Sequence, residues 1–341
     1  MTRRPIARRL AALVVGASIV AGCTAVARAY QTYGVRVGAR VIFLKWSRQP
    51  VRYYVTDRGT NGVTAAQFRD AAARAFNTWQ NVEGVSISSQ FVAFTSANPF
   101  DEDGQSTLGF LNRPDLDRVL GATNFLIDDV TGEIVESDIF FNTAFQWSVS
   151  EAGEGGKFDL ESIILHETGH MFGLGHSSLG ETELRAGGGR RVIAAEAVMF
   201  PIAYTSGNVS ARRPRADDIA GLRELYPASG TTSRTGTLSG RVTKNGQGVF
   251  GAHVVAFNPL TKKLVGNFAS DTQGAFAISG LDPGAYIVRV EPLDDGDLDS
   301  FFADDDVPKV DLDFKPTFLQ QLVLVPEGGG SESVEIKVTA K

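Results

Sequence analysis

The sequence predicts an α/β (α+β) domain, a twisted and mostly parallel sheet carrying a long functional helix, followed by an all-β sandwich domain. Three observations predict it. Helical periodicity over 65–80, and in a second helix capped by Asp159, is interspersed with apolar runs of strand length. A stretch rich in Ser, Thr and Gly, 228–235, follows Pro227 and reads as a linker. Beyond it, period-two stretches alternate with Gly and Pro turns, which is a sandwich pattern.

Taken in order, 51–55 reads as a strand and 65–80 as a helix. Thr64 and Gln67 have capping-box spacing, and Phe68, Ala72, Ala75, Phe76 and Trp79 form one apolar stripe that belongs to a core. Strands are expected over 86–94, 121–127 and 136–142. Asp159 is placed to cap the next helix, with Leu160, Ile163, Ile164 and Met171 on its core side. In the second half, strands are expected over 238–242, 252–257, 275–278, 286–290 and 334–338.

A chain of 341 residues with 43% hydrophobic and 21% charged side chains has room for two domains with buried cores. The amino end differs. Arg3, Arg4, Arg8 and Arg9 precede an apolar run over 10–22, the layout of an export signal and too short to span a membrane. Two processing sites fit it: a lipoprotein-like box ending at Cys23, whose lipid would be a membrane anchor, and the Ala27-Arg28-Ala29 peptidase pattern. An extracytoplasmic protein is expected, secreted or periplasmic. Losing the five arginines of the first 29 residues takes the formal charge from −6 to −11, which makes nucleic acid a poor partner. The expected divisions are 1–29 signal, 31–227 first domain, 228–235 linker and 236–341 second domain.

Three of the four histidines fall in one segment, His166-Glu167-Thr168-Gly169-His170-Met171-Phe172-Gly173-Leu174-Gly175-His176. This is the H-E-x-x-H-x-x-G-x-x-H spacing of a zinc peptidase site. Residues four apart share a helix face, so His166 and His170 can aim at one ion. Gly173 permits the left-handed exit that brings His176 round as a third ligand. Three protein ligands leave the fourth tetrahedral position for water, the mark of a catalytic zinc. Glu167 lies about 100° round the helix from His166, beside the ion, where it can act as general base.

Downstream, Ala197-Val198-Met199-Phe200-Pro201 looks like a methionine turn beneath the metal, although Met199 alone would read as core filling. With the zinc segment, 158–162, 138–142 and 217–226, it makes residues 35–227 resemble the matrixins, the matrix-metalloproteinase-like branch of the metzincins. Ser177, directly after His176, favours that branch. The resemblance implies a metzincin fold, a catalytic zinc and a protein or peptide substrate, as in extracellular matrix proteolysis; the family's second, structural zinc needs histidines that this chain lacks, since only His253 remains, so one zinc is expected. It further implies that Pro201 to Tyr204 wall a specificity pocket, and that one of Asp217 and Asp218 braces the methionine turn.

The chain departs from that pattern in two places. Twenty-two residues separate His176 from Met199, far more than in the vertebrate enzymes. The only cysteine is Cys23, so a zinc-blocking cysteine switch is not expected. The region 248–290 is similar to carboxypeptidase regulatory-like, transthyretin-like modules, which carry no chemistry of their own. His253 there, flanked by Ala252 and Val254, reads as a strand residue. Structural calcium is a weaker expectation, from the oxygen-rich runs 101–105 and Asp128-Asp129. Nine Asp with a single Lys over 294–313 read as a solvated acidic loop. The expected function is a zinc endopeptidase, the competing one a surface adhesion or scaffold protein that keeps the fold with little turnover.

Overall fold

The computed structural model describes residues 9–12, 32–37, 40–186, 188–293, 295–302 and 305–341. Of the expected export segment only Arg9–Ala12 is described, as a strand antiparallel to Gly121–Ile127. Cys23 and Ala29 lie outside the described residues. No described helix is long and apolar enough to cross a membrane.

The first half is a twisted sheet with two helices packed on each other. Its strands run in the order Ser89–Thr95, Val51–Thr56, Ser106–Leu111, Ile139–Asn142 and Gly121–Ile127. The first four are parallel, and Gly121–Ile127 is antiparallel to its neighbour. Helix α1, Ala65–Gln80, has the expected capping box, with the Gln67 amide donating to Thr64 Oγ1 at 3.2 Å and the Thr64 amide to Gln67 Oε1 at 2.9 Å. Its apolar stripe is wholly buried. Trp79 ties it to helix α2, Leu160–Met171, because the indole N–H donates to Leu165 O at 2.9 Å.

Asp159 caps α2 by accepting the Ser162 amide at 3.0 Å, and the Arg212 guanidinium holds the same carboxylate with two hydrogen bonds of 2.9 and 2.5 Å. That ion pair is almost out of water on the Asp159 side. Leu160, Ile164 and Met171 are fully buried, while Ile163 is only half-buried at the edge of the core.

Two local expectations change. Ser106–Leu111 is a central strand buried on both faces, so its residues show no alternation for a sequence reading to catch. The expected strand over 136–142 is two strands, Ile134–Glu136 and Ile139–Asn142. Between them Asp138 turns its carboxylate inward to accept the Thr107 and Phe100 amides, each at 2.7 Å.

Beyond helix α3, Ala216–Leu225, two sheets face each other. One contains Gly236–Lys244, Gln247–Gly248, Ala275–Leu281 and Val334–Val338; the other His253–Asn258, Lys263–Phe268, Gly284–Glu291, Thr317–Phe318 and Val323–Val325. Ala220 of α3 joins the apolar cluster between them. Residues 228–235 are held against the first half, with the Thr231 hydroxyl and the Ala228 amide both donating to Gly84 O. Arg223 of α3 pairs with Asp282 at 3.0 Å, so helix and sandwich are joined by charge as well as by apolar contact.

Candidate metal centre

His166 and His170 lie one turn apart on α2. The helix ends at Phe172, and Gly173 leaves it with φ of +94°, where a side chain would lie 2.2 Å from the Leu44 carbonyl oxygen. Only glycine meets both conditions. The reversal carries His176 back over the helix.

The Nε2 atom of His170 is 3.1 Å from Nε2 of His166 and 3.1 Å from Nε2 of His176. Bonds of about 2.0–2.1 Å to a tetrahedral zinc would set ligand nitrogens roughly 3.3 Å apart. Each ring is held from behind by a carbonyl on Nδ1: Val198 O at 2.8 Å for His166, Leu174 O at 2.8 Å for His170 and Ser300 O at 2.7 Å for His176. A carbonyl only accepts, so each Nδ1 carries the proton and each Nε2 presents a lone pair to the centre. Three converging lone pairs repel one another unless a cation lies between them, and three imidazoles with room for water are the donor set of a catalytic zinc. Burial pushes the His166 ring down to about 4, which keeps it neutral as a ligand must be. Among the described residues this is the only group of three or more His, Cys, Asp or Glu close enough to share an ion.

Glu167 is buried beside the rings. The Thr123 hydroxyl, on strand Gly121–Ile127, donates to its Oε2 at 2.7 Å. Burial pushes the Glu167 carboxyl up to about 8, with that hydrogen bond opposing the shift; a neighbouring cation would oppose it further.

Beneath the histidines, the Met199 sulfur fills the space a side chain at Gly169 would need, since a Cβ there would lie 2.3 Å from it. The Val198 and Met199 amides donate to the two Asp218 oxygens at 2.9 and 3.0 Å, and Arg215 adds a third amide at 2.7 Å. Asp217 turns elsewhere, accepting the Ser177 hydroxyl at 2.5 Å and the Gly266 amide of the sandwich at 2.8 Å. Pro201 and Tyr204 are half-buried on the chain leaving the turn, and the Tyr204 hydroxyl accepts the Ala195 amide at 2.9 Å. His253 is buried in its strand with Nδ1 3.2 Å from Glu291, away from the three-histidine group.

Three carboxylates of the two oxygen-rich runs serve their own turns. Asp128 accepts the Val130 and Thr131 amides, Asp101 that of Asn98 and Asp103 that of Gln105. Three residues that the sequence reading did not single out touch the centre: Thr123, Ser300 and Tyr33, whose hydroxyl lies 3.2 Å from His170 Nδ1. None had a local signal, because their partners are 44, 124 and 137 residues away along the chain.

The matrixin family pattern matches residues 45–186. The chain carries a matrixin domain. Its three histidines fit the zinc site of that domain, whereas Met199, Pro201, Tyr204, Asp217 and Asp218 lie beyond the matched stretch. Over 175 residues the chain is 29% identical to Metalloendoproteinase 1 of Glycine max, covering 47% of this chain and 45% of the relative. Over 197 residues it is 27% identical to Metalloendoproteinase 1-MMP of Arabidopsis thaliana, covering 53% and 44%. Over 211 residues it is 28% identical to the Hatching enzyme of Paracentrotus lividus, covering 56% and 28%. The chain thus spans less than half the length of these curated relatives.

Proposed function

We propose that this protein is an exported zinc-dependent endopeptidase that hydrolyses peptide bonds in proteins. The observation that carries the proposal is the convergence of three Nε2 lone pairs next to a buried carboxylate, Glu167, oriented by Thr123. Zinc, when bound by His166, His170 and His176, supplies Lewis acidity, drawing the pKa of a water towards about 7 and polarising a peptide carbonyl. Glu167 takes the proton from the attacking water on one oxygen while Thr123 holds the other. It then passes that proton to the departing amine nitrogen, which restores the carboxylate. His166, His170 and His176 would stay neutral throughout, because each Nε2 lone pair would be committed to the ion while each Nδ1 proton is held by a carbonyl. Asp218 keeps Met199 under the rings, and Pro201 to Tyr204 line the pocket for the substrate side chain. Both metalloendoproteinase relatives carry names in keeping with this reading. Export rests on the arginines and apolar run at the amino end.

Glu167→Gln tests the proposal, since it keeps the shape and removes the base. Zinc-loaded wild type should cleave a panel of unfolded proteins, and the variant should lose at least about 100-fold in kcat while retaining zinc. Equal cleavage by both would overturn the role given to Glu167, and none by a zinc-loaded wild type would overturn the proposal in favour of an inactive surface scaffold.

A further inference from the structure

The long segment between His176 and Met199 and the acidic loop of the sandwich meet each other over the third metal ligand. The long segment between His176 and Met199 forms a hairpin, Gly180–Leu184 paired with Arg190–Ala195. That hairpin grips the acidic loop of the sandwich. The Thr182 amide donates to Asp295 Oδ1 at 2.9 Å, the Thr182 hydroxyl to Asp295 O at 2.7 Å, and Arg190 pairs with Asp297 at 3.3 Å.

The gripped segment continues as a single 3₁₀ turn, Leu298–Ser300, whose last carbonyl projects from the turn and accepts from His176 Nδ1. Terminal carbonyls of such a turn have no partner within it and carry its negative end, so they suit an imidazole N–H. Phe301 follows immediately. It is 3% exposed and packs edge-on to the His176 ring, with centroids 6.3 Å apart, and against Phe268 of the sandwich. Gly296 leaves it room, because a Cβ there would lie 2.5 Å from its ring. The His166 and His170 rings are held by carbonyls of residues 174 and 198, whereas the carbonyl behind His176 belongs to the sandwich half of the chain.

We infer that the sandwich is part of the metal centre: the hairpin clasps the acidic loop so that Ser300 O and Phe301 fix the tautomer and aim of His176, and zinc affinity is thereby coupled to the clasp. The inference rests on the reading of His166, His170 and His176 as zinc ligands. Asp295 and Thr182 are positioning residues here, acting on the metal only through the loop. Coupling of this kind is reciprocal, so zinc must tighten the clasp as much as the clasp tightens zinc.

The test measures zinc affinity of the full-length protein by competition with a fluorescent chelator, for wild type, Asp295→Ala and Asp295→Asn. Loss of an outer partner typically weakens a metal site 10- to 100-fold, and Asp295→Ala, one step further out, should weaken zinc by about 10-fold. Asp295→Asn keeps an acceptor for the Thr182 amide and should stay within about twofold of wild type. Amide hydrogen exchange over 295–302 supplies a second readout: zinc should slow it in wild type and much less in Asp295→Ala. Equal affinities for all three proteins would overturn the inference, as would equal weakening by both variants, which would reduce the effect to lost negative charge. A wild type that takes up no zinc would overturn the metal centre itself, a result distinct from either.

Discussion

Thr123 Oγ1 donates to Glu167 Oε2 at 2.7 Å and also lies 3.1 Å from the Glu167 backbone carbonyl, so a single hydroxyl ties the strand Gly121–Ile127 to the zinc helix. The strand thereby sets where the carboxylate points. Thr123→Val removes the hydroxyl with little change of shape. It should lower kcat by about 10-fold with KM nearly unchanged, while Thr123→Ser restores most of the rate. Steady-state cleavage of one peptide by the three proteins checks this.

Asp218 accepts the Val198 and Met199 amides and that of Arg215 at the start of α3, and is 2% exposed. Asp218→Ala leaves those donors buried without an acceptor, and a hydrogen bond to a charged group contributes about 1.5–3 kcal/mol. The variant should lose at least about 3 kcal/mol in urea unfolding. A loss below about 1 kcal/mol would show that the turn does not depend on Asp218.

Gly169 and Met199 are predicted to be energetically coupled. Because a Cβ at 169 would press on the Met199 sulfur and come within 3.1 Å of Trp79, Gly169→Ala should cost about 1–3 kcal/mol of overpacking. Shortening the partner in Met199→Ala opens a cavity when made alone, but in the Gly169→Ala background it also relieves the clash. A double-mutant cycle should show a coupling of at least about 1 kcal/mol in the compensating direction, and additive effects would refute the contact.

Asp138, 1% exposed, has its carboxyl pushed up by burial from 3.8 to about 7, against the two amides it accepts. Between those values the folded protein binds a proton that the unfolded chain does not. The contribution of Asp138 to stability is therefore fully present below about pH 4 and is lost as pH rises through about 7. Asp138→Asn cannot titrate. The stability of wild type minus that of the variant should fall by roughly 1.4 kcal/mol per pH unit across this window and level off above it. Urea midpoints between pH 4.5 and 8 measure the difference, and a difference that grows with pH would refute the assignment.

The parts of this protein that were legible in the sequence are those whose physics is local. The zinc segment depends on helical periodicity and one left-handed glycine, and the α1 capping box closes within four residues. Asp159 caps its helix three residues ahead of the amide it accepts. The strand Gly121–Ile127 stands between turn residues, and its limits are those its sequence predicts. Where burial was two-sided the pattern vanished, as in Ser106–Leu111. There Gly109 is required because a Cβ would lie 2.5 Å from the Thr56 side chain, a neighbour no local rule reveals. Lys263–Phe268 was missed for a related reason: Gly266 interrupts its pattern so that its backbone can approach His253 and donate to Asp217.

The sequence by itself determined which side chains could hold the metal, because spacings of four and ten residues on a helix and its exit already bring three rings to one point. Tertiary structure alone decided what stands behind those rings. Thr123, Tyr33 and Ser300 reach the site across 44 to 137 residues, and the direction of a hydroxyl or a carbonyl at such separations follows from how sheets and helices pack. Of the two adjacent aspartates only packing could choose, since neighbouring helix positions differ by about 100° and so face different partners. Asp218 faces the methionine turn, and Asp217 faces Ser177 and the sandwich.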